Sequence, residues 1–148
     1  MLSQDGCFGA REIVVARAKP YQLLMADDDA GFREVLREIL HPYVILLEAS
    51  SGEEAIQIVE CAHVDIVLLD MHMDVLTGIE TVQIVKTKLE IVPCIIISGD
   101  VTDELLRDAD RVEAFSVLSK PVRKKDLVST VSTALETTYD DPNAFELN

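Results

Sequence analysis

The chain reads as an α/β fold built on a parallel sheet, and three observations predict it. First, four short apolar runs each end on a polar group. Leu23-Leu24-Met25-Ala26 runs into Asp27-Asp28, Ile66-Val67-Leu68-Leu69 into Asp70, Ile95-Ile96-Ile97 into Ser98, and Phe115-Ser116-Val117-Leu118-Ser119 into Lys120-Pro121. Continuous apolar runs of this length suit strands buried on both faces, as in parallel sheets. Second, the runs alternate with stretches of helical period, which is the pattern of repeated βα units. Third, 148 residues fit one domain with a sizeable core.

The elements follow in order. Residues 1–20 carry Gly6, Gly9 and scattered charges without a sustained period, and read as a poorly ordered extension with a short helix near 11–18. The repeats start at Tyr21. The spacing of Phe32, Val35, Leu36, Ile39 and Leu40 predicts a helix over 30–40, capped by Asp29 and stopped by His41-Pro42. A second strand is expected at 43–48. Ser51 with Glu54 three residues on predicts a capping box, and Ile56, Ile58, Val59 and Ala62 give that helix its apolar side. The third strand is expected at 65–69, followed by a loop over 71–77 and a helix from Gly78 to about 89. The fourth strand is expected at 93–97, with Pro93 at its start where a ladder donor can be spared. A short helix at 102–109, with Leu105, Leu106 and Ala109 as anchors, precedes the fifth strand at 114–119. The last helix runs about 124–138 with Leu127, Val128, Val131, Ala134 and Leu135 inward. The organisation is therefore an extension (1–20), one domain (21–138) and a tail (139–148) expected to fray.

A lone Asp after a strand is ordinarily a turn or cap residue. Four strand-end groups in this order are a pattern. Parallel strands end on the same side, about 5 Å from their neighbours. The C-terminal edge of the sheet would gather three carboxylates, one hydroxyl and one ammonium, at the edge where open α/β sheets bind ligands.

Composition excludes several classes. A net charge of −14 opposes direct nucleic-acid binding, and the trio Arg123-Lys124-Lys125 reads as a solvated helix start. Apolar stretches are too short for a membrane span, and the N-terminus lacks a signal-peptide core. Cys7, Cys61 and Cys94 are odd in number, far apart and outside any CxxC pair. They point to a reducing cytoplasm without a disulfide framework or cysteine-based zinc site.

Taken together, MADDDAGFR, DIVLLDMHMDVLTG, CIIISG and FSVLSKP resemble the receiver domain of two-component response regulators over about residues 21–138. The resemblance implies a flavodoxin-like (βα)5 three-layer sandwich with a parallel five-stranded sheet in the order 2-1-3-4-5. It also implies a phosphoacceptor that takes a phosphoryl group with Mg²⁺ and changes partner binding, without an output domain of its own. A carboxylate attacking a phosphoryl group forms an aspartyl phosphate. Both partners are anions, so a hard cation with oxygen ligands must offset the repulsion.

By the resemblance, Asp70 is both phosphoacceptor and metal ligand, Asp28 binds the metal directly, Asp27 acts mainly through water, and the backbone carbonyl of His72 completes the protein ligands. Lys120 supplies a positive charge for the phosphoryl oxygens, Ser98 a mobile hydroxyl donor, and Pro121 the family's cis-proline turn. The implied partners are a sensor histidine kinase or phosphotransfer protein and a downstream protein target, with the chain a monomer or weak dimer and not a metabolic enzyme. His72 is expected to present its ring to solvent, and His41 and His63 to be helix-terminus residues.

Two residues depart from the family pattern. Asp74 stands where proline is usual, and Val117 stands where an aromatic usually swings inward. Val117 is β-branched and stiff at its first torsion. These departures keep a phosphorylation-independent binding module open as an alternative, beside a phosphorelay intermediate. A dehalogenase-like phosphatase would need a second Asp two residues after Asp70, where the chain has His72.

Overall fold

The computed structural model describes residues 20–145. Five βα units follow one another: β1 (Gln22–Ala26), α1 (Ala30–Leu40), β2 (Ile45–Ala49), α2 (Gly52–Cys61), β3 (Ile66–Asp70), α3 (Gly78–Lys88), β4 (Cys94–Ser98), α4 (Asp103–Arg111), β5 (Ser116–Ser119) and α5 (Lys124–Tyr139). All strand pairs are parallel and the sheet order is β2-β1-β3-β4-β5.

The apolar runs alternate between two cores. Leu24, Ala26, Val67, Leu69, Cys94 and Ile96 meet residues of α2, α3 and α4 on one face. Leu23, Met25, Ile66, Leu68, Ile95 and Ile97 meet α1 and α5 on the other. Every residue of β3 and β4 is buried, which is why these strands read as unbroken apolar runs with no alternation.

The register sets the site. Ala26 pairs with Leu69, so Asp27 emerges beside Asp70. Ser98 pairs with Ser119, so Lys120 emerges one step beyond Ser98.

Several boundaries differ from expectation for identifiable reasons. β2 begins at Ile45 because the backbone N–H groups of Tyr43 and Val44 still donate to the Leu40 carbonyl at the end of α1. β5 begins at Ser116 because Glu113 takes a left-handed turn (φ 63°) and the Ala114 N–H donates to Ala109. Both β3 and β4 run one residue further, so Asp70 and Ser98 are themselves strand residues.

Ser51 caps α2, but Glu54 accepts from the backbone and hydroxyl of Ser50 and not from Ser51, so no closed box forms there. The closed box is at Thr77 and Glu80, on α3. Val35 (49% exposed) and Leu106 (47%) lie outside the core, whereas Ala55, on the inner face of α2, is fully buried.

The tail does not leave the body within the described residues. Asp140 ends α5 in a left-handed turn. Tyr139 stacks on Tyr21 and donates its hydroxyl to the Asp65 carbonyl, Tyr21 donates to Asp141, and Phe145 stacks on Tyr43. The expected extension over residues 1–20 falls almost wholly outside the described residues. Among them, no helix is long and apolar enough to cross a membrane.

Candidate functional site

Four side chains converge at the C-terminal edge of the sheet. Asp27 (2% exposed) and Asp70 (5%) are buried, while Asp28 is exposed at the rim. One ligand atom from each of the three lies within 4.8 Å of the others. The Lys120 ammonium bridges the buried pair, 3.3 Å from Asp27 Oδ2 and 3.1 Å from Asp70 Oδ1.

Local sequence explains each position. Asp27 is held at both ends of its carboxylate: Oδ1 accepts from the Asp29 N–H at 2.9 Å, and Oδ2 takes Lys120. Its backbone carbonyl accepts from the Arg33 guanidinium at 2.6 Å. The third acid of the run, Asp29, turns away from the cluster and caps α1 by accepting from the N–H groups of Gly31 and Phe32. Asp28 has no side-chain hydrogen bond to another described residue. Gly78 lets α3 start hard against the end of β3, because a Cβ there would sit 2.7 Å from the Asp70 carbonyl oxygen. The Lys120–Pro121 peptide bond is cis.

The electrostatics follow from burial and from the uneven count of charges. Burial pushes the Asp27 carboxyl above its ordinary range. The Asp29 N–H opposes this, the Asp70 charge adds to it, and Lys120 again opposes. Burial pulls the Lys120 ammonium down, yet its hydrogen bond to Asp70 and the two carboxylate charges outweigh that and hold it above its ordinary value. Three carboxylates face a single ammonium, so two negative charges stay uncompensated. A donor set of carboxylate oxygens with that deficit fits a hard divalent cation such as Mg²⁺.

Ser98 is buried on the same edge. Its hydroxyl donates to the Asp100 carbonyl and accepts from the Asp100 N–H, both at 3.1 Å. A Cβ added at Gly99 would meet nothing within 4 Å, so the space beside Ser98 is open. His72 and Asp74 are exposed in the loop after β3. His41 caps the end of α1, and His63 pairs with Asp65 at 2.8 Å. Val117 packs partly buried against the core beneath α2, α3 and α4.

Two participants are not apparent in the sequence. The Phe32 ring lies 4.2 Å from the Lys120 ammonium, although its spacing marks it only as one of the core stripe of α1. Val75 adopts φ 60° in the loop after β3, a conformation that nothing in its β-branched side chain announces.

A family model described as the response regulator receiver domain matches residues 23–132. The transcriptional regulatory protein PdtaR of Mycobacterium tuberculosis (strain ATCC 25618 / H37Rv) is 30% identical over 120 residues, which span 80% of this chain and 58% of PdtaR. The transcriptional regulatory protein GlrR of Escherichia coli (strain K12) is 32% identical over 122 residues, 80% of this chain and 27% of GlrR. The chain thus spans a little over half, or less, of these relatives. Among solved structures, a CheY-like response regulator receiver domain protein from Methanospirillum hungatei JF-1 superposes with a TM-score of 0.79 at 18% identity, over 83% of this chain and 99% of that one. A receiver domain from Clostridium thermocellum gives a TM-score of 0.75 at 26% identity, over 80% and 97%.

Proposed function

The chain belongs to the response regulator receiver domain family, and from that premise we propose that it accepts a phosphoryl group on Asp70 and changes its partner binding in response. The carrying observation is a buried Asp70 carboxylate paired to Lys120 beside Asp27 and Asp28.

An Asp70 carboxylate oxygen attacks phosphorus. The new O–P bond forms as the bond from phosphorus to the donor breaks, and the electron pair leaves with the donor. Lys120 stands where charge grows on the phosphoryl oxygens and offsets it without reorganising. Asp27, fixed by Asp29 and Lys120, holds that ammonium in place. Asp28, Asp70 and the backbone carbonyl of His72 are the groups that would hold Mg²⁺, with Asp27 acting mainly through water. Bound there, the cation would supply Lewis-acid neutralisation between two anions. Ser98, now engaged with Asp100, is the hydroxyl positioned to turn toward a phosphorylated Asp70. The donor in this reading is a sensor histidine kinase or phosphotransfer protein, and the readout is a protein partner.

Val117 favours a second reading, in which the chain binds a partner without regard to Asp70, because its short side chain offers no ring to move. Acetyl phosphate with Mg²⁺ separates the two. Intact mass should show one added phosphate in the wild type and none in Asp70→Asn. Uptake that persists in Asp70→Asn, or that ignores removal of Mg²⁺, contradicts the proposal.

A further inference from the structure

The geometry points to Phe32 as a positioning residue that holds the Lys120 ammonium between Asp27 and Asp70, an inference that rests on the phosphoacceptor reading for its functional consequence. A lysine ammonium is a point charge on four flexible methylenes, with three donors and no fixed plane. Two of its directions are spent on Asp27 Oδ2 and Asp70 Oδ1, at 3.3 and 3.1 Å. Both bonds lie on the acid side, and neither stops the ammonium from swinging outward into water. The Phe32 ring, with its centroid 4.2 Å from Nζ, occupies a third direction. Rings attract cations within about 6 Å of the centroid, most strongly where water is excluded. The lysine side chain is 27% exposed, so the ring stands in for part of its lost hydration.

The ring is itself fixed. Phe32 sits in the first turn of α1, and its backbone N–H donates to the Asp29 cap at 3.3 Å. Arg33, the next residue, ties the same turn to the Asp27 carbonyl. The ring also packs against the core formed with α1 and α5. One turn of helix therefore fixes both a carboxylate that Lys120 pairs with and the surface that backs its ammonium. An aliphatic side chain of similar bulk fills the core equally well but lacks the negative ring face. That difference makes the role testable apart from packing.

Phe32→Leu and Phe32→Tyr are compared in the full chain, each alone and with Lys120→Met. Two quantities are read: the lysine Hε chemical shifts, and the initial rate of phosphate uptake from acetyl phosphate with Mg²⁺. In the wild type one lysine is shifted by the ring current. The shift collapses in Phe32→Leu, persists in Phe32→Tyr, and is missing in Lys120→Met. Uptake falls about five-fold in Phe32→Leu, stays within about two-fold in Phe32→Tyr, and shows no further loss when Phe32→Leu is added to Lys120→Met. An unchanged lysine shift in Phe32→Leu overturns the inference. So does a loss of uptake of the same size in the Lys120→Met background, which would mark a packing effect. If the wild type takes up no phosphate, the phosphoacceptor reading fails, and the lysine shift alone then decides whether Phe32 holds Lys120.

Discussion

At the scale of single residues, Gly78 and Val75 show how tightly the loop after β3 is drawn around Asp70. A methyl group at Gly78 would meet backbone at 2.7 Å (Asp70 O) and 2.9 Å (Met71 Cα), and backbone cannot step aside as a side chain can. Gly78→Ala is expected to lower unfolding free energy by about 1–3 kcal/mol, read by urea denaturation, with the loss concentrated at this loop. Val75 is the opposite case. It is 82% exposed and makes little use of its side chain, yet it holds φ 60°. Left-handed backbone costs an ordinary residue about 1–2 kcal/mol, and least for Asn or Gly. Val75→Asn should therefore stabilise the protein by about 1 kcal/mol, and an unchanged or lower denaturation midpoint would refute the strain.

The strand-end residues Asp27, Asp70, Ser98 and Lys120 were legible in the sequence because an apolar run that stops on a polar group marks a sheet edge. The cap role of Asp29 was legible as well, because it stands just ahead of the apolar stripe of α1. The place of Phe32 over Lys120 and the bond of Ser98 to Asp100 were not. Phe32 obeys the apolar stripe whether or not a lysine lies over it. The bond of Ser98 to Asp100 depends on how the following loop turns, which periodicity does not report.

At the scale of elements, α4 is a thinly anchored helix near the site. Only Leu105 and Ala109 are buried within it, because Leu106 faces outward where the apolar count alone had placed it inside. Its entry loop is joined to the site by the Ser98–Asp100 turn. Segments with few buried contacts open at the lowest free energy. If Ser98 leaves Asp100 to meet a phosphoryl oxygen, the loop loses that tie and α4 can shift without a moving ring at position 117. Beryllofluoride, a phosphoryl mimic, is therefore expected to change amide exchange most over residues 99–110. Indifference there, with beryllofluoride demonstrably bound, would favour the binding module that ignores Asp70. The sequence places this helix at 102–109 and it spans Asp103–Arg111, with Leu105 and Ala109 inward as expected and Leu106 outward.

At the scale of the whole molecule, the aromatic clasp joins the start of the chain's fold to its end, on the side of the sheet away from the acids. Tyr139 on α5 reaches the carbonyl of Asp65 just before β3, and Tyr21 before β1 reaches Asp141 in the tail. The tail's polar Asp-Asp-Pro sequence predicts fraying, and three-dimensional stacking overrides it. Burial, then the charge of Asp65, raises the Tyr139 phenol from 10.0 to about 12. The folded value lies above the unfolded one, so the stability it contributes is fully present below pH 10 and is lost as pH rises through 12. Tyr139→Phe should cost about 1 kcal/mol at neutral pH through the missing hydrogen bond. The gap from wild type should narrow between pH 10 and 12, and a gap independent of pH over that window would contradict the clasp.

The same whole-molecule architecture, with β1, β3, β4 and β5 delivering their end groups to one edge, makes Asp70 the single phosphoacceptor in this account. The most direct measurement is chemical trapping. After acetyl phosphate and Mg²⁺, borohydride reduces an acyl phosphate to an alcohol, turning a phosphorylated aspartate into homoserine. Peptide sequencing by mass spectrometry should find homoserine at position 70 and nowhere else, with none formed when Mg²⁺ is chelated. Homoserine at Asp27, Asp28 or another carboxylate, or none at all in a folded, Mg²⁺-saturated sample, would contradict it.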